Sequence, residues 1–345
     1  MTITVDPGQL DGYADQLERN SGHLGGLASY CAAHCGPAGG MTGLLAAARP
    51  AVELARDSTA DLLASAERRL LQVATNLRAA AHGYRSGDAA AAERIWLVLP
   101  RRAAPQGHLD RDDDRHAGDY RDPFVATPAV PAARHEVGAA AEEARHRIGV
   151  VDEWLARYTH VTLGEHVLPW LAGDWDALRA AADGYAGLAG PDGLPAIRAN
   201  LGYGLDSLSS GWDSPAATQF AYTIRDRWLP ALDTMRRLVE LHREALECLA
   251  QQSENTLHAV VLAIEALEFW VVEKVLRSIM LAVPGGLWAE IGMEVMKTWH
   301  TITALFEALR LAFAAVREAA QLAGAEATML EDLLAGGRLD PITVG

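Results

Sequence analysis

Seven apolar side chains between residues 63 and 84 are spaced alternately three and four positions apart. They are Leu63, Ala66, Leu70, Val73, Leu77, Ala80 and Tyr84. This spacing places all of them on one side of an α-helix, in the heptad pattern of helices that pack lengthwise against each other. A strand cannot hold such a pattern, because its side chains alternate between two faces. The segment therefore predicts a long helix with an equally long helical partner.

The partner helix is predicted upstream, between Asp6 and the glycine-rich segment 36–40. Asp6 followed by Pro7 is a typical helix start, because the Asp side chain can accept from free backbone amides and Pro fits the first helical position. Apolar residues again recur on one face, and the glycine-rich segment can reverse the chain. Residues 1–98 are therefore predicted to form a helical hairpin.

The rest of the chain is also predicted to be helical. Half of the residues are apolar but only 6% are aromatic, and β-branched runs with a period of two are almost absent. Alanine has the highest helix propensity, and its small side chain lets helices approach closely. We predict an all-α protein, an elongated antiparallel bundle of two helical hairpin units plus an extra C-terminal helix pair.

Changes in composition divide this predicted bundle. Residues 99–130 combine several prolines with a run of charged residues, which predicts a linker or a long exposed loop. Helical periodicity resumes in a second unit, 131–255. Strongly apolar helices are predicted in 256–335, on either side of Val283-Pro284-Gly285-Gly286, and 336–345 is predicted to be a tail.

Charge and motifs exclude several classes of function. The 45 acidic and 30 basic residues give a net charge of −15, which repels phosphate groups, so no nucleic acid partner is expected. Cys31, Cys35 and Cys248 form neither a disulfide framework nor a zinc pattern. The chain shows no nucleophile motif, phosphate loop or complete set of metal ligands, so we expect no enzymatic activity and no cofactor. Its first ten residues lack the features of a cleavable signal peptide.

The first candidate functional motif is the pair Tyr84 and Asp88. The two residues are four positions apart at the end of the second helix, so one helical face would present an aromatic ring and a carboxylate together. A receptor groove could recognise such a pair. The alternative is structural, with Tyr84 as the last core residue of the helix and Asp88 as the cap of a following helix. Spacing by itself favours this structural alternative.

The second motif is the turn Gly211-Trp212-Asp213-Ser214-Pro215 between two predicted helices. Ser214 can cap the helix that opens with Pro215. The Trp212 ring would bury a large apolar surface at the end of the bundle, worth about 2–3 kcal/mol. We predict that one edge of the ring stays near the surface, so that the ring packs at the end of the bundle and can also be contacted by a receptor.

Together the two motifs resemble those of actinobacterial type VII (ESX) secretion substrates. In that family a Tyr-x-x-x-Asp motif after the second helix of a leaderless hairpin is a required part of the export signal. The Trp212 turn looks like the family's Trp-x-Gly turn, with Ser214 in place of the glycine. The order of the motifs in one chain is similar to that of fused PE/PPE-like secreted proteins with WXG-type hairpins. The resemblance covers residues 6 to about 255.

This resemblance implies a non-enzymatic protein that is made in the cytoplasm and secreted. Tyr84, Asp88, Trp212 and Ser214 would form a composite secretion signal, read by the type VII secretion ATPase or a chaperone. Relatives of this kind form rings, so a homo-oligomer is a further expectation. The main structural expectation is that Tyr84 and Trp212, far apart in sequence, lie side by side.

An alternative function follows from the apolar helices after residue 256. They resemble the delivery parts of type VII-exported toxins, which implies a delivery or membrane-active module. Four carboxylates, those of Glu265, Glu268, Glu273 and Glu290, would oppose insertion into a membrane at neutral pH, and acidification would lower that barrier. The chain is therefore expected to be soluble as synthesised.

Overall fold

The computed structural model describes residues 4–37, 40–86, 120–158, 162–281 and 287–336. It is 83% helical with about 1% strand, which confirms the all-α class. In chain order the elements are β1 (Thr4–Val5), α1 (Pro7–His34), a 3₁₀ helix (Gly43–Ala47), α2 (Arg49–Ser86), α3 (Glu136–Tyr158), α4 (Gly164–Val167), α5 (Ala177–Ala189), α6 (Leu194–Leu208), β2 (Trp212–Asp213), α7 (Pro215–Tyr222), a π-helical turn (Thr223–Trp228), α8 (Leu229–Leu281) and α9 (Leu287–Gly336).

The helices α1 and α2 form the predicted hairpin. Asp6 caps α1, because its Oδ1 accepts a hydrogen bond from the Gly8 amide at 2.9 Å. At the same end of the hairpin, Arg78 near the end of α2 pairs with Asp15 near the start of α1 at 2.6 Å, so the two helices run antiparallel. The predicted seam is buried from Leu63 to Ala80, and Tyr84 packs against the core at its end.

The corner of the hairpin is fixed by a contact with the loop that follows α4. Gly43 has a φ of 60°, and a Cβ there would lie 2.6 Å from the carbonyl oxygens of Pro169 and Ala172. Both the positive φ and the close approach require glycine at this position. The Leu44 amide also donates to the Trp170 carbonyl at 3.1 Å, so backbone contacts hold the corner on the second half of the chain.

The last part of the predicted linker is packed against the helices, whereas the sequence predicts an exposed loop. Tyr120 is only 1% exposed, and Asp122 forms an ion pair with Arg19 of α1 at 2.7 Å. Asn200 of α6 accepts from the backbone amide of Phe124 and donates to its carbonyl, at 3.1 and 2.9 Å. Residues 120–135 therefore form an extended strap across α1 and α6. Residues 87–119, which hold the rest of the predicted linker, lie outside the described part of the chain.

The predicted boundary at residues 255 and 256 falls inside the continuous helix α8. This helix packs against α3, α5 and α6 as well as α9, and α9 packs against α2. Ser253 and Leu257, on either side of the boundary, are both fully buried. The apolar C-terminal pair thus shares a helix and a core with the second unit. The turn at 283–286 and residues 337–345 are outside the described ranges.

Candidate docking site at the Trp212 turn

Tyr84 lies in the last turn of α2, which ends at Ser86. Its ring is half-buried, and its hydroxyl oxygen Oη is buried. The predicted structural role, as the last residue of the core seam, is consistent with this burial. Asp88, the predicted acidic partner, lies outside the described residues, so the structure gives only the tyrosine end of the motif.

Trp212 lies in β2, after a turn in which the Gly211 amide donates to the Leu208 carbonyl at 3.0 Å. Its side chain is only 3% exposed. The ring packs against that of Phe220 on α7, with 5.7 Å between the ring centroids. The prediction that one edge of Trp212 stays near the surface is wrong, because the side chain is buried against the core, with Phe220 of α7 on it. A receptor cannot contact this ring directly in the described fold.

The side chains of Tyr84 and Trp212 meet, as the sequence predicts. Burial raises the pKa of the Tyr84 hydroxyl, and hydrogen-bonding groups of Trp212 and Ser214 lie close enough to oppose that rise. Neither Tyr84 Oη nor Trp212 Nε1 completes a hydrogen bond of normal geometry with any described residue. The end of α2 and the Trp212 turn therefore form one structural unit with two unsatisfied polar atoms inside it.

Ser214 caps α7, which explains how this turn forms with a serine at this position. Its Oγ accepts a hydrogen bond from the Ala217 amide at 3.1 Å, and Pro215 occupies the first turn of the helix. The Ser214 backbone is extended, with φ −165° and ψ 164°. Any residue can adopt that conformation, so the turn does not require glycine here.

An ion pair lies beside Tyr84. Arg85, the next residue of α2, pairs through Nη1 with Oδ2 of Asp11 in the second turn of α1. Both side chains are partly exposed. The charges near Tyr84 are therefore held by a contact between the start of α1 and the end of α2.

A short strand pair next to Trp212 was not predicted from the sequence. β1 pairs antiparallel with β2, so that Thr4 is opposite Asp213 and Val5 is opposite Trp212. The Asp6 amide extends the pairing by donating to the Gly211 carbonyl at 3.0 Å. Two-residue strands are too short to show a period of two, so no sequence pattern could have indicated them.

The three cysteines all lie in the part of the chain that the structure describes. No group of three His, Cys, Asp or Glu side chains there is placed to hold a metal ion. Cys31 and Cys35 are buried at the end of α1, while Cys248 is exposed on α8. Hydrogen bonding with Cys31 and burial raise the pKa of the Cys35 thiol, which keeps it protonated and a poor nucleophile.

Comparisons with known proteins give no match. No protein-family model, no curated protein and no solved structure is significantly similar to this chain. The function of this end of the molecule is therefore inferred from its residues and their geometry.

Proposed function

We propose that this protein is a non-enzymatic substrate of an actinobacterial type VII secretion system. The end of the bundle that holds Tyr84 and the Trp212 turn would be its export signal, together with Asp88. The partner would be the secretion ATPase or a dedicated chaperone, and the protein would be secreted after synthesis in the cytoplasm.

The observation that carries this proposal is the contact between Tyr84 and Trp212. Two motifs that are far apart in sequence come together only if the hairpin and the second unit pack against each other in one particular way. They do pack that way, and hydrogen-bonding groups of Trp212 and Ser214 lie next to the Tyr84 hydroxyl. A receptor could then read both halves of the chain at one place, and only in the folded protein.

The residues have different roles in this proposal. Tyr84 is half-buried, so a receptor can contact its ring. Trp212 is buried, and its role is to support the Tyr84 ring from inside the bundle. Ser214 caps α7 and fixes the turn that carries Trp212. Asp88 would supply the charge of the signal, as the family resemblance implies.

The direct test is export of Tyr84→Ala from an actinobacterial host with a type VII system, measured as the fraction of protein in the medium. Tyr222→Ala is a matched control, because Tyr222 is also followed by an Asp four residues later and is 49% exposed on a different helix. We expect export of Tyr84→Ala to fall roughly tenfold, which corresponds to about 1.4 kcal/mol of docking free energy. Export of Tyr222→Ala should match that of the unaltered protein.

Circular dichroism and thermal unfolding of both variants provide the folding control. A Tyr84→Ala protein that is folded and exported at the normal level would contradict the proposal. Equal losses for both tyrosine variants would contradict it too, since the effect would then not depend on the site.

A second candidate function, membrane action after export, is favoured by one observation. The helical segment Pro215–Val275 contains an 18-residue stretch that is apolar enough to cross a membrane by length and composition, and only 28% of that stretch is buried. In the apolar part of α8, Leu262, Phe269 and Val272 are exposed, Phe269 by 73%. Such side chains could enter a bilayer or cover each other in a homo-oligomer.

Leakage of dye-filled liposomes at neutral and acidic pH tests this second candidate. Phe269→Ser should abolish leakage at acidic pH, whereas Leu241→Ser, an exposed apolar position in an earlier part of α8, should not. Absence of leakage at every pH would remove the membrane candidate. Sedimentation of the same proteins over a wide concentration range would then show whether Phe269 serves self-association instead.

A further inference from the structure

We propose that residues 4–11 act as a brace that sets the relative position of the two halves of the export signal. The proposal rests on the function proposed above and names the residues that position its docking site. It follows from three contacts that all start in this short segment and end next to Tyr84 or Trp212.

The first contact is the backbone pairing with the Trp212 turn. β1 pairs with β2, and the Asp6 amide donates to the Gly211 carbonyl at 3.0 Å. Because Asp6 also caps α1, the pairing ends where the helix begins. The position of the Trp212 backbone is therefore tied to the first turn of α1.

The second contact is between Gln9 and Gly211. A Cβ on Gly211 would lie 2.6 Å from Cδ of Gln9, so a larger residue would have to displace the Gln9 side chain, and the φ of Gly211 is not in the left-handed region. Gln9 is itself held, because its Oε1 accepts a hydrogen bond from the Tyr120 hydroxyl at 3.0 Å. Tyr120 lies against Gly12, where a Cβ would be 2.5 Å from its ring. The strap and α1 thus fix the side chain that lies against the turn.

The third contact is the ion pair of Asp11 with Arg85. Arg85 follows Tyr84 directly, so this pair ties the end of α2 to α1 only two residues after Gln9. One end of α1 therefore holds both remote pieces, the Trp212 turn through Gln9 and the Tyr84 turn through Asp11. A substitution of Gln9 or Asp11 would therefore alter the position of the Tyr84 and Trp212 rings while leaving those two residues unchanged.

The test combines Gln9→Ala with Asp11→Asn in the full-length protein. Two side chains on α1 serve as controls. Asp15→Asn removes one of the two ion pairs between α1 and Arg78 of α2, the other being with Glu18, away from the site. Asp11→Glu keeps the charge. Amide hydrogen exchange of residues 211–213 reports local opening of the turn, and the export assay is run in parallel with Tyr84→Ala.

We expect the double variant Gln9→Ala/Asp11→Asn to exchange faster at residues 211–213 and to be exported roughly fivefold less. The variant loses one ion pair and one hydrogen bond, and each of these contributes a factor of a few. Asp15→Asn and Asp11→Glu should leave both measurements unchanged. Unchanged exchange in the double variant, or equal losses in Asp15→Asn, would overturn the brace. Faster exchange with normal export would overturn its role in the signal. Normal export of Tyr84→Ala would instead show that the proposed function itself has failed.

Discussion

The hydroxyl group of Tyr84 is buried beside two other polar groups and yet makes no hydrogen bond of normal geometry with a described residue. Trp212 Nε1 likewise has no acceptor of normal geometry among the described residues, and Tyr84 Oη lies close to it. Buried polar groups are nearly always hydrogen-bonded to protein or to water, so an unsatisfied buried pair needs an explanation. The pair is therefore the most informative polar contact in the described structure.

A variant that removes only this hydroxyl separates docking from folding. Tyr84→Phe keeps the ring that closes the seam and removes an oxygen that completes no hydrogen bond of normal geometry with a described residue. We expect the free energy of unfolding in urea to change by less than about 0.5 kcal/mol, while export falls severalfold. A large loss of stability in Tyr84→Phe would show that Oη is hydrogen-bonded in solution and has a structural role.

At the scale of helices, α1 and α6 cross at an unusually close contact. A Cβ on Gly204 of α6 would lie 1.8 Å from Oε1 of Gln16 and 2.4 Å from the Tyr13 ring. Neither neighbour can move freely, because Gln16 donates to the Asn200 carbonyl at 3.1 Å and Tyr13 to the Leu201 carbonyl at 2.9 Å. This crossing joins the hairpin to the second unit.

Two glycine-to-alanine variants of α6 test that close contact. Gly204→Ala should destabilise the protein by about 1–3 kcal/mol through overpacking. Gly202→Ala, on the same helix with no atom within 4 Å of the added methyl group, should be neutral or stabilising by up to about 1 kcal/mol. Urea unfolding of both variants measures the difference. Similar values for the two would contradict a close crossing at Gly204.

The same elements show what the sequence could predict. The seam that ends at Tyr84 and the cap at Ser214 were predicted because helix periodicity and caps are local patterns. The burial of Tyr120 and the β1–β2 pairing were not, because they depend on contacts between distant segments that leave no periodic trace. A change in hydrophobicity predicts the boundary at 255 and 256, but both sides of that boundary belong to one helix, α8.

At the scale of the whole molecule, a buried histidine lies where the hairpin meets α5 and α8. His242 Nδ1 is 3.3 Å from Oγ1 of Thr59 on α2, and its ring packs 5.3 Å from that of Tyr185 on α5. Its Nε2 is buried with no hydrogen-bond partner among the described residues. Burial lowers the pKa of His242 from 6.5 to about 4.

This lowered pKa makes the packing of the two halves sensitive to acid. Between pH 6.5 and 4 the unfolded chain binds a proton that the folded protein does not, so stability falls as the pH falls through that range. The total loss from His242 is about 3 kcal/mol. His242→Gln should remove it. Urea unfolding at pH 7 and pH 4.5 should therefore show a smaller pH dependence for the variant, and an equal pH dependence would contradict the assignment.

The central claim is that Tyr84 and Trp212 act as one docking site, and a double-mutant cycle of export tests it most directly. The variants are Tyr84→Ala, Trp212→Phe and their combination, with Trp212→Phe chosen to keep the packing on Phe220. If Trp212 acts by supporting Tyr84, the combination should be exported no less than Tyr84→Ala alone, because the two residues share one interaction. Losses that multiply, or normal export of Tyr84→Ala, would contradict the claim.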